Sequence, residues 1–317
     1  MPRITPEIES ARIDASQLKV GAIINTSSGG CDPESEAEMR ELLKLSGVTN
    51  CKIWCGEADQ IERAFTESTK HKLDALIVLG GDGTIRSAAE VCARTHSYLL
   101  PMPGGTMNML PRALYGEASW QETLKDTLVS PTTKTLSGGR ATNKLFFVAA
   151  LVGVPALWID AREAMREYDV GDAFEKGTVA LQKMFDTKLQ YSISPQLSGE
   201  AEVVTVICPL VSEQMSSSEQ ALEAAAINWD SAAELLGLAT AAAFGKWRQN
   251  KTVTLSKTKR VMVRSTRHIP LYLDGERVET DEMTEIIFVP NAVNVIVPAN
   301  RITSPTSSPP LPAAASE

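Results

Sequence analysis

The stretch Asp74-Ala75-Leu76-Ile77-Val78-Leu79-Gly80-Gly81-Asp82-Gly83-Thr84 decides the fold. Its first half is a continuous apolar run, short and rich in β-formers, which suits a parallel strand buried on both faces. Its second half is a Gly-rich turn. Residues 85–94 follow with helical spacing, so the segment reads as strand, turn, helix. Working outward, the same alternation recurs. Residues 19–24 predict a strand that ends in Asn25-Thr26-Ser27-Ser28-Gly29-Gly30, and 33–45 predict a helix with acids in its first turn, as the helix dipole favours. Residues 50–55 predict a strand, 58–69 a helix, and 98–102 a strand closed by Pro103-Gly104-Gly105-Thr106, after which a short helix opens. A βαβα order implies a parallel sheet with helices on both faces.

Beyond Ser130-Pro131 the texture changes. Residues 133–142 and 144–152 read as paired strands, 156–168 and 174–185 as helices, 189–194 and 202–208 as strands, and 231–248 as a helix. Short strands follow at 252–256, 260–265, 271–273, 277–279, 285–289 and 293–297. No element is assigned to 209–230. The fold class is therefore α/β: an N-terminal parallel-sheet domain over 16–131, then an antiparallel β-rich domain over 132–302. Residues 303–317, rich in Ser, Pro and Ala and nearly free of charge, read as a disordered tail.

Composition narrows the function. The chain has 317 residues, 43% hydrophobic and 22% charged, as a globular protein does, and a net charge of −8 argues against a nucleic-acid footprint over its whole surface. Five cysteines without a C-x-x-C pair argue against a disulfide framework, and point to reduced thiols in the cytoplasm. Three histidines far apart show no zinc spacing. No apolar run reaches the roughly 20 residues a membrane span needs, and the N-terminus lacks a signal-peptide pattern.

Three Gly-rich turns, each after a strand of one sheet, would line one crevice at the carboxyl ends of the strands, where open α/β sheets bind ligands. Glycines let backbone approach a ligand closely, and N–H groups at a helix start suit phosphate. Asp82 is the odd member, because a carboxylate repels phosphate. It fits if Mg²⁺ intervenes. The alternative is a tight βα turn with a surface Asp. Late in the chain, Asp274-Gly275 between short apolar runs is a type I′ hairpin signal. As a turn residue alone, Asp274 should be replaceable by Asn with little loss of stability.

These residues also resemble a known family. Gly80–Thr84 is similar to the Gly-Gly-Asp-Gly-Thr signature of the diacylglycerol kinase catalytic domain, a family that includes bacterial lipid kinases and sphingosine and ceramide kinases. Gly105-Thr106-Met107-Asn108 with Arg112 resembles its Gly-Thr-x-Asn-Asp-x-x-Arg motif. Asn25 with Gly29 and Gly30 resembles its opening Asn-Pro-x-Ser-Gly-Gly, and Leu273-Asp274-Gly275-Glu276 its late Asp-Gly-Glu. The resemblance spans residues 20–298. It implies an ATP-dependent lipid kinase using Mg²⁺. Gly80, Gly81, Gly83 and Thr84 would cradle the phosphates, with Asn25, Gly105, Thr106 and Asn108 lining the neighbouring walls and Asp82 at the nucleotide or metal. Asp274 would be the general base with Glu276 beside it. The implied partners are ATP and a membrane lipid such as diacylglycerol, with peripheral contact at the inner membrane face, no nucleic acid, and a homodimer as a further expectation.

The chain also departs from the pattern. Met109 stands where the motif usually has a second acid, and Met does not bind Mg²⁺. Thr26 replaces the Pro of the opening motif. Many members carry a Gly-Phe-x-x-Asp-Ala segment, whereas here Gly153 is followed by no acid until Asp160. Two rival readings follow: a nucleotide-binding protein without kinase activity, and a small-molecule kinase resembling the NAD kinases, whose Asn-x-Gly-x-x-Gly-Phe-Leu segment is absent. Residues 251–268 hold six Lys or Arg and no acid. They are a candidate for anionic headgroups or ATP phosphates, although a solvated β-ribbon face is the favoured reading. Residues 231–248 are read as a core helix rather than an interfacial one.

Overall fold

The computed structural model describes residues 12–32, 34–153, 188–229, 234, 246–266 and 268–299. They form two compact units. Those up to Gly138 and from Val289 onward make the first, and Gly139–Phe288 the second. The sequence places the change of texture earlier, near Ser130-Pro131, and does not foresee that the chain's last strand returns to the first unit. The expected helices at 156–168 and 174–185 and the tail at 303–317 lie outside the described residues.

The first unit alternates strand and helix: β1 (Val20–Asn25), α1 (Ser35–Leu45), β2 (Cys51–Gly56), α2 (Ala58–Thr69), β3 (Ala75–Gly80), α3 (Asp82–Thr95) and β4 (Tyr98–Pro103). Next come α4 (Met109–Tyr115) and α5 (Trp120–Val129). The four strands are parallel in the order β2-β1-β3-β4. Every residue of β1 and β3 is buried. Both sheet faces are covered, by Met39 and Leu43 of α1, Ile61 and Phe65 of α2, Ile85 and Ala88 of α3, and Leu124 of α5. Helix starts are fixed locally. In α5, Ser119 and Glu122 exchange side-chain and backbone bonds, and Gln60 accepts the Glu57 N–H at the head of α2. Helix α1 ends where Gly47 turns to φ 79°, a conformation only glycine adopts cheaply.

The second unit is antiparallel. Its strands are the end of β5 (Pro131–Ala141), β6 (Lys144–Phe146), β7 (Ala149–Gly153), β8 (Leu189–Ser194), β9 (Leu197–Ala201), β10 (Val203–Ile207), β11 (Leu222–Ile227), β12 (Val253–Thr258), β13 (Arg260–Arg264), β14 (Leu271–Leu273), β15 (Glu276–Val278) and the start of β16 (Met283–Pro298). One sheet runs β12-β11-β10-β7-β14-β15, and another pairs β16, β13, β8 and β9. Their inner faces share one core, including Val152, Val204, Leu271, Leu189, Val263 and Ile286. Strand β16 is continuous where the sequence predicts two strands. Its later half joins the first unit, where Val295 lies opposite Leu99 of β4. Tyr115 donates to the Ile296 carbonyl at 3.0 Å, and burial raises its phenol well above the usual range.

Of the helix expected at 231–248, Glu234 and residues 246–248 are described: Glu234 is helical, and Trp247–Gln249 forms a 3-10 turn. Half of the basic run is paired. Lys257 bridges to Glu219, Arg260 to Glu285 and Lys251 to Glu234. Arg248 is held by Glu223 at 2.6 Å and Glu213 at 3.1 Å, so its cation is committed internally.

Candidate functional site

Three loops meet at the carboxyl ends of β1, β3 and β4, as the glycine pattern predicts. The contacts between them are backbone-close. The Gly30 N–H donates to the Gly104 carbonyl at 2.9 Å, and the Gly104 N–H to the Gly80 carbonyl at 3.1 Å. A Cβ on Gly105 would stand 2.7 Å from Gly81 Cα, and one on Gly104 2.7 Å from the Gly80 nitrogen. These glycines are therefore required by loop-to-loop packing, before any ligand is considered. Gly81 is different. A Cβ there would meet nothing nearer than Ser28 Oγ at 3.8 Å.

The polar side chains of the three turns are engaged with one another. Asn25, buried at the end of β1, donates through Nδ2 to Thr84 Oγ1 at 2.9 Å and accepts the Ser27 N–H at 3.1 Å. Ser28 accepts the Gly81 N–H at 3.0 Å. Asn108 adopts the left-handed conformation (φ 51°), accepts the Gly105 N–H at 2.7 Å and donates to the Gly105 carbonyl at 2.8 Å. Asp82 is 7% exposed and accepts the Met109 N–H at 2.6 Å. Thus Asn25, Asp82 and Thr84 act first as braces between loops, while Asn108 closes its own turn. The Gly80–Thr84 turn opens α3, whose first N–H groups and dipole favour an anion. Thr106 is exposed at the rim.

Sequence reasoning singled out the turn of Ser28 but not its link to Gly81. It read Met109 only as a missing acid, whereas its backbone N–H is the partner of Asp82. No side-chain pattern signals a backbone donor.

Asp274 and Glu276 belong to the second unit. Asp274 and Gly275 both have positive φ, 48° and 84°, with Leu273 opposite Glu276, so the two-residue type I′ turn is as expected. The carboxylate is not a surface turn group. Asp274 is 4% exposed and accepts three N–H groups: Phe147 at 2.8 Å on Oδ2, and Val148 at 2.8 Å and Ala149 at 2.9 Å on Oδ1. Glu276 is exposed.

Among the described residues, no three His, Cys, Asp or Glu side chains cluster so as to hold a metal by themselves. No helix there is long and apolar enough to cross a membrane. All five cysteines are free. Burial pushes the Cys31 thiol up to about 11, with the Asp32 carboxylate and Cys55 adding to it, and Cys92 up to about 12.

Residues 19–141 match the sequence model of the diacylglycerol kinase catalytic domain. Diacylglycerol kinases of Mycobacterium tuberculosis, strains CDC 1551 / Oshkosh and ATCC 25618 / H37Rv, are 29% identical over 154 residues, 47% of this chain and 50% of theirs. The chain thus spans about half the length of the curated relatives it matches. A crystal structure of a diacylglycerol kinase from Bacillus anthracis str. Sterne superposes with a TM-score of 0.62 at 15% identity, over 90% of this chain and 99% of that one. Another structure from the same strain gives 0.68 at 17% identity, over 90% and 97%. At such identities the likeness is one of fold.

Proposed function

We propose, from the match of residues 19–141 to the diacylglycerol kinase catalytic domain, that this chain is a phosphotransferase with an alcohol acceptor. Its donor is ATP and its acceptor a lipid hydroxyl, diacylglycerol-like. The observation that carries the reading is the junction of three Gly-rich turns at the carboxyl ends of β1, β3 and β4, braced by the Gly30–Gly104 and Gly104–Gly80 bonds. It offers the N-terminus of α3, with the N–H groups of that helix's first turn, to a polyphosphate. Phosphoryl transfer asks mostly for positioning and charge neutralisation, and a rigid backbone cradle supplies the first.

Gly80, Gly81, Gly83 and Thr84 would hold the phosphates, with Asn25, Gly105, Thr106 and Asn108 fixing the walls. Mg²⁺ is commonly held by one or two carboxylates plus the nucleotide's own phosphates. Asp82, the acid within the three turns, fits that limited role, and bound Mg²⁺ would neutralise developing phosphate charge. Asp274 would orient the lipid hydroxyl and take its proton, with Glu276 near the turn. Three amide donors hold the Asp274 carboxylate in place. The lipid partner implies peripheral contact with a membrane.

One observation favours a second reading, nucleotide binding without transfer. Position 109 contributes a backbone N–H to Asp82 instead of a carboxylate. Incubating the full chain with radiolabelled ATP, Mg²⁺ and a lipid panel, with separation by thin-layer chromatography, tests both. A labelled lipid supports the kinase, while nucleotide binding without product supports the second reading.

A further inference from the structure

A cavity lies in the first unit at the end of its sheet opposite the Gly-rich turns. Its volume is about 460 Å³, within the range of small-molecule sites. It borders Asp74 and Tyr98, at the amino ends of β3 and β4. A six-residue strand spans roughly 20 Å, so the cavity is about that far from the Gly-rich turns. Leu18, Leu73, Leu76 and Val91 give it an apolar floor.

The wall above that floor is rich in acceptors. Ser68 and Thr69 donate their hydroxyl protons to the Phe65 and Thr66 carbonyls at 2.7 and 2.8 Å. Thr95 and Ser97 have two protons to divide among the Val91 carbonyl, the Leu73 carbonyl and each other. None of these four hydroxyls has a donor to spare. Helices α2 and α3 both end at this wall, with Thr69 and Thr95, and helix C-termini favour cations. One oxygen of the exposed Asp74 accepts the Lys19 N–H at 2.8 Å, and the other has no partner among the described residues. Lys72 and His96 stand exposed at the mouth, where each can turn to solvent.

We propose that this cavity is a binding site for a small ammonium-bearing amphiphile, separate from the nucleotide crevice. The ammonium meets Asp74 and the acceptor wall, and its short apolar body covers the leucine floor. Lys72 opposes the cation and tunes the affinity downward.

The test uses n-hexylammonium and, as its neutral counterpart, 1-hexanol, titrated into the full chain and followed by calorimetry and amide NMR. Hexylammonium should saturate, shift the amides of Ser68, Thr69 and Tyr98, and leave Gly81 and Gly83 unmoved. Hexanol should bind at least about tenfold more weakly, since it brings no charge-assisted hydrogen bond. Asp74→Asn should weaken hexylammonium binding about three- to tenfold, and Lys72→Ala should strengthen it. Equal binding of the alcohol, shifts confined to other residues, or an unaffected Asp74→Asn variant would overturn the proposal. Should Asp74→Asn fail to fold, Thr69→Arg at the exposed end of α2 serves instead. It brings a like charge and bulk into the cavity, so it should abolish saturable binding, and retained binding would overturn the assignment.

Discussion

The backbone N–H of Met109 donates to Asp82 Oδ1 at 2.6 Å. The bond joins the first residue of α4 to the first residue of α3, so it ties two Gly-rich turns together through the one acid between them. A buried carboxylate that accepts an amide is stabilised as an anion. That accounts for an acid in a phosphate-type turn without requiring the residue to face the phosphate. It also gives position 109 a use that survives the exchange of acid for Met, because any residue but proline offers the same N–H.

Asp82→Asn and Asp82→Ala should therefore behave differently. Asn keeps an oxygen acceptor at nearly the same place, so the brace weakens but persists. Ala leaves the Met109 N–H without its partner, at a cost of about 1–3 kcal/mol. Chemical denaturation of the two variants should show Ala clearly less stable than Asn. If Asp82 also serves Mg²⁺, Asp82→Asn keeps ATP affinity and loses turnover. An Asn variant with wild-type turnover and Mg²⁺ dependence would leave Asp82 only its bracing role.

Gly105 and Gly81 give a second contrast. A Cβ on Gly105 falls 2.7 Å from the Gly81 backbone, a clash that only loop movement relieves. Gly105→Ala should lower the melting temperature by several degrees, in line with about 1–3 kcal/mol for overpacking. A Cβ on Gly81 meets only ordinary contacts. Gly81→Val should fold normally and lose ATP affinity, because its bulk projects where a phosphate would approach the turn. Normal ATP binding by Gly81→Val, measured by calorimetry, would move the phosphate site elsewhere.

Much of the first unit was legible because its local signals agree. The apolar runs of β1 and β3 are buried throughout, and α2 begins after Glu57, where Gln60 accepts the Glu57 N–H. The second unit was harder. Strand β11, Leu-Glu-Ala-Ala-Ala-Ile, carries three alanines that favour helix. It becomes a strand because β10 and β12 pair on either side and bury all six residues. Pro290-Asn291 read as a break, yet β16 continues through it, with Asn291 at φ 48° and its N–H donating to Ser137 Oγ. In the site, the residue types were readable and their partners were not. The Asp82–Met109 and Asp274–Phe147 bonds depend on backbone brought close by tertiary folding.

The buried Cys92 and the half-buried Cys31 and Cys51 predict an alkaline limit to stability. Burial raises Cys31 and Cys51 to about 11 and Cys92 to about 12, from an ordinary 9.0. The folded state holds these protons more tightly than the unfolded chain. Their contribution is fully present below about pH 9, and is lost as pH rises through 11 to 12. Stability measured from pH 8 upward should fall beyond pH 9, and Cys92→Ala should show a shallower fall. A wild-type profile flat to pH 11 would contradict the assigned burial. At neutral pH the same thiols should alkylate slowly, because little thiolate is present.

Asp274 carries the last prediction, and the structure reverses the expectation drawn from its turn. As a type I′ residue, Asp274 could yield to Asn at almost no cost, since Asn tolerates positive φ. Its carboxylate, however, accepts the Phe147 N–H on one oxygen and the Val148 and Ala149 N–H groups on the other. Asn has a single oxygen. If that oxygen keeps Val148 and Ala149, the amide NH₂ faces the Phe147 N–H, donor against donor, in a site 4% exposed. One buried N–H loses its partner and the negative charge is gone, so Asp274→Asn should lose about 1–3 kcal/mol in urea unfolding. Asp274→Ala should lose more, because all three N–H groups go unmet. A general base at this position adds roughly a hundredfold or more to turnover, so the two roles separate in one preparation. Asp274→Asn examined well below its melting temperature should still bind ATP, whose proposed cradle lies wholly in the first unit. A loss of turnover of at least about a hundredfold in the folded, ATP-binding variant would assign Asp274 to the chemistry. A loss of stability with turnover intact would leave it as the anchor of residues 147–149. Wild-type stability of Asp274→Asn would show that the three-donor clasp is not what holds this hairpin.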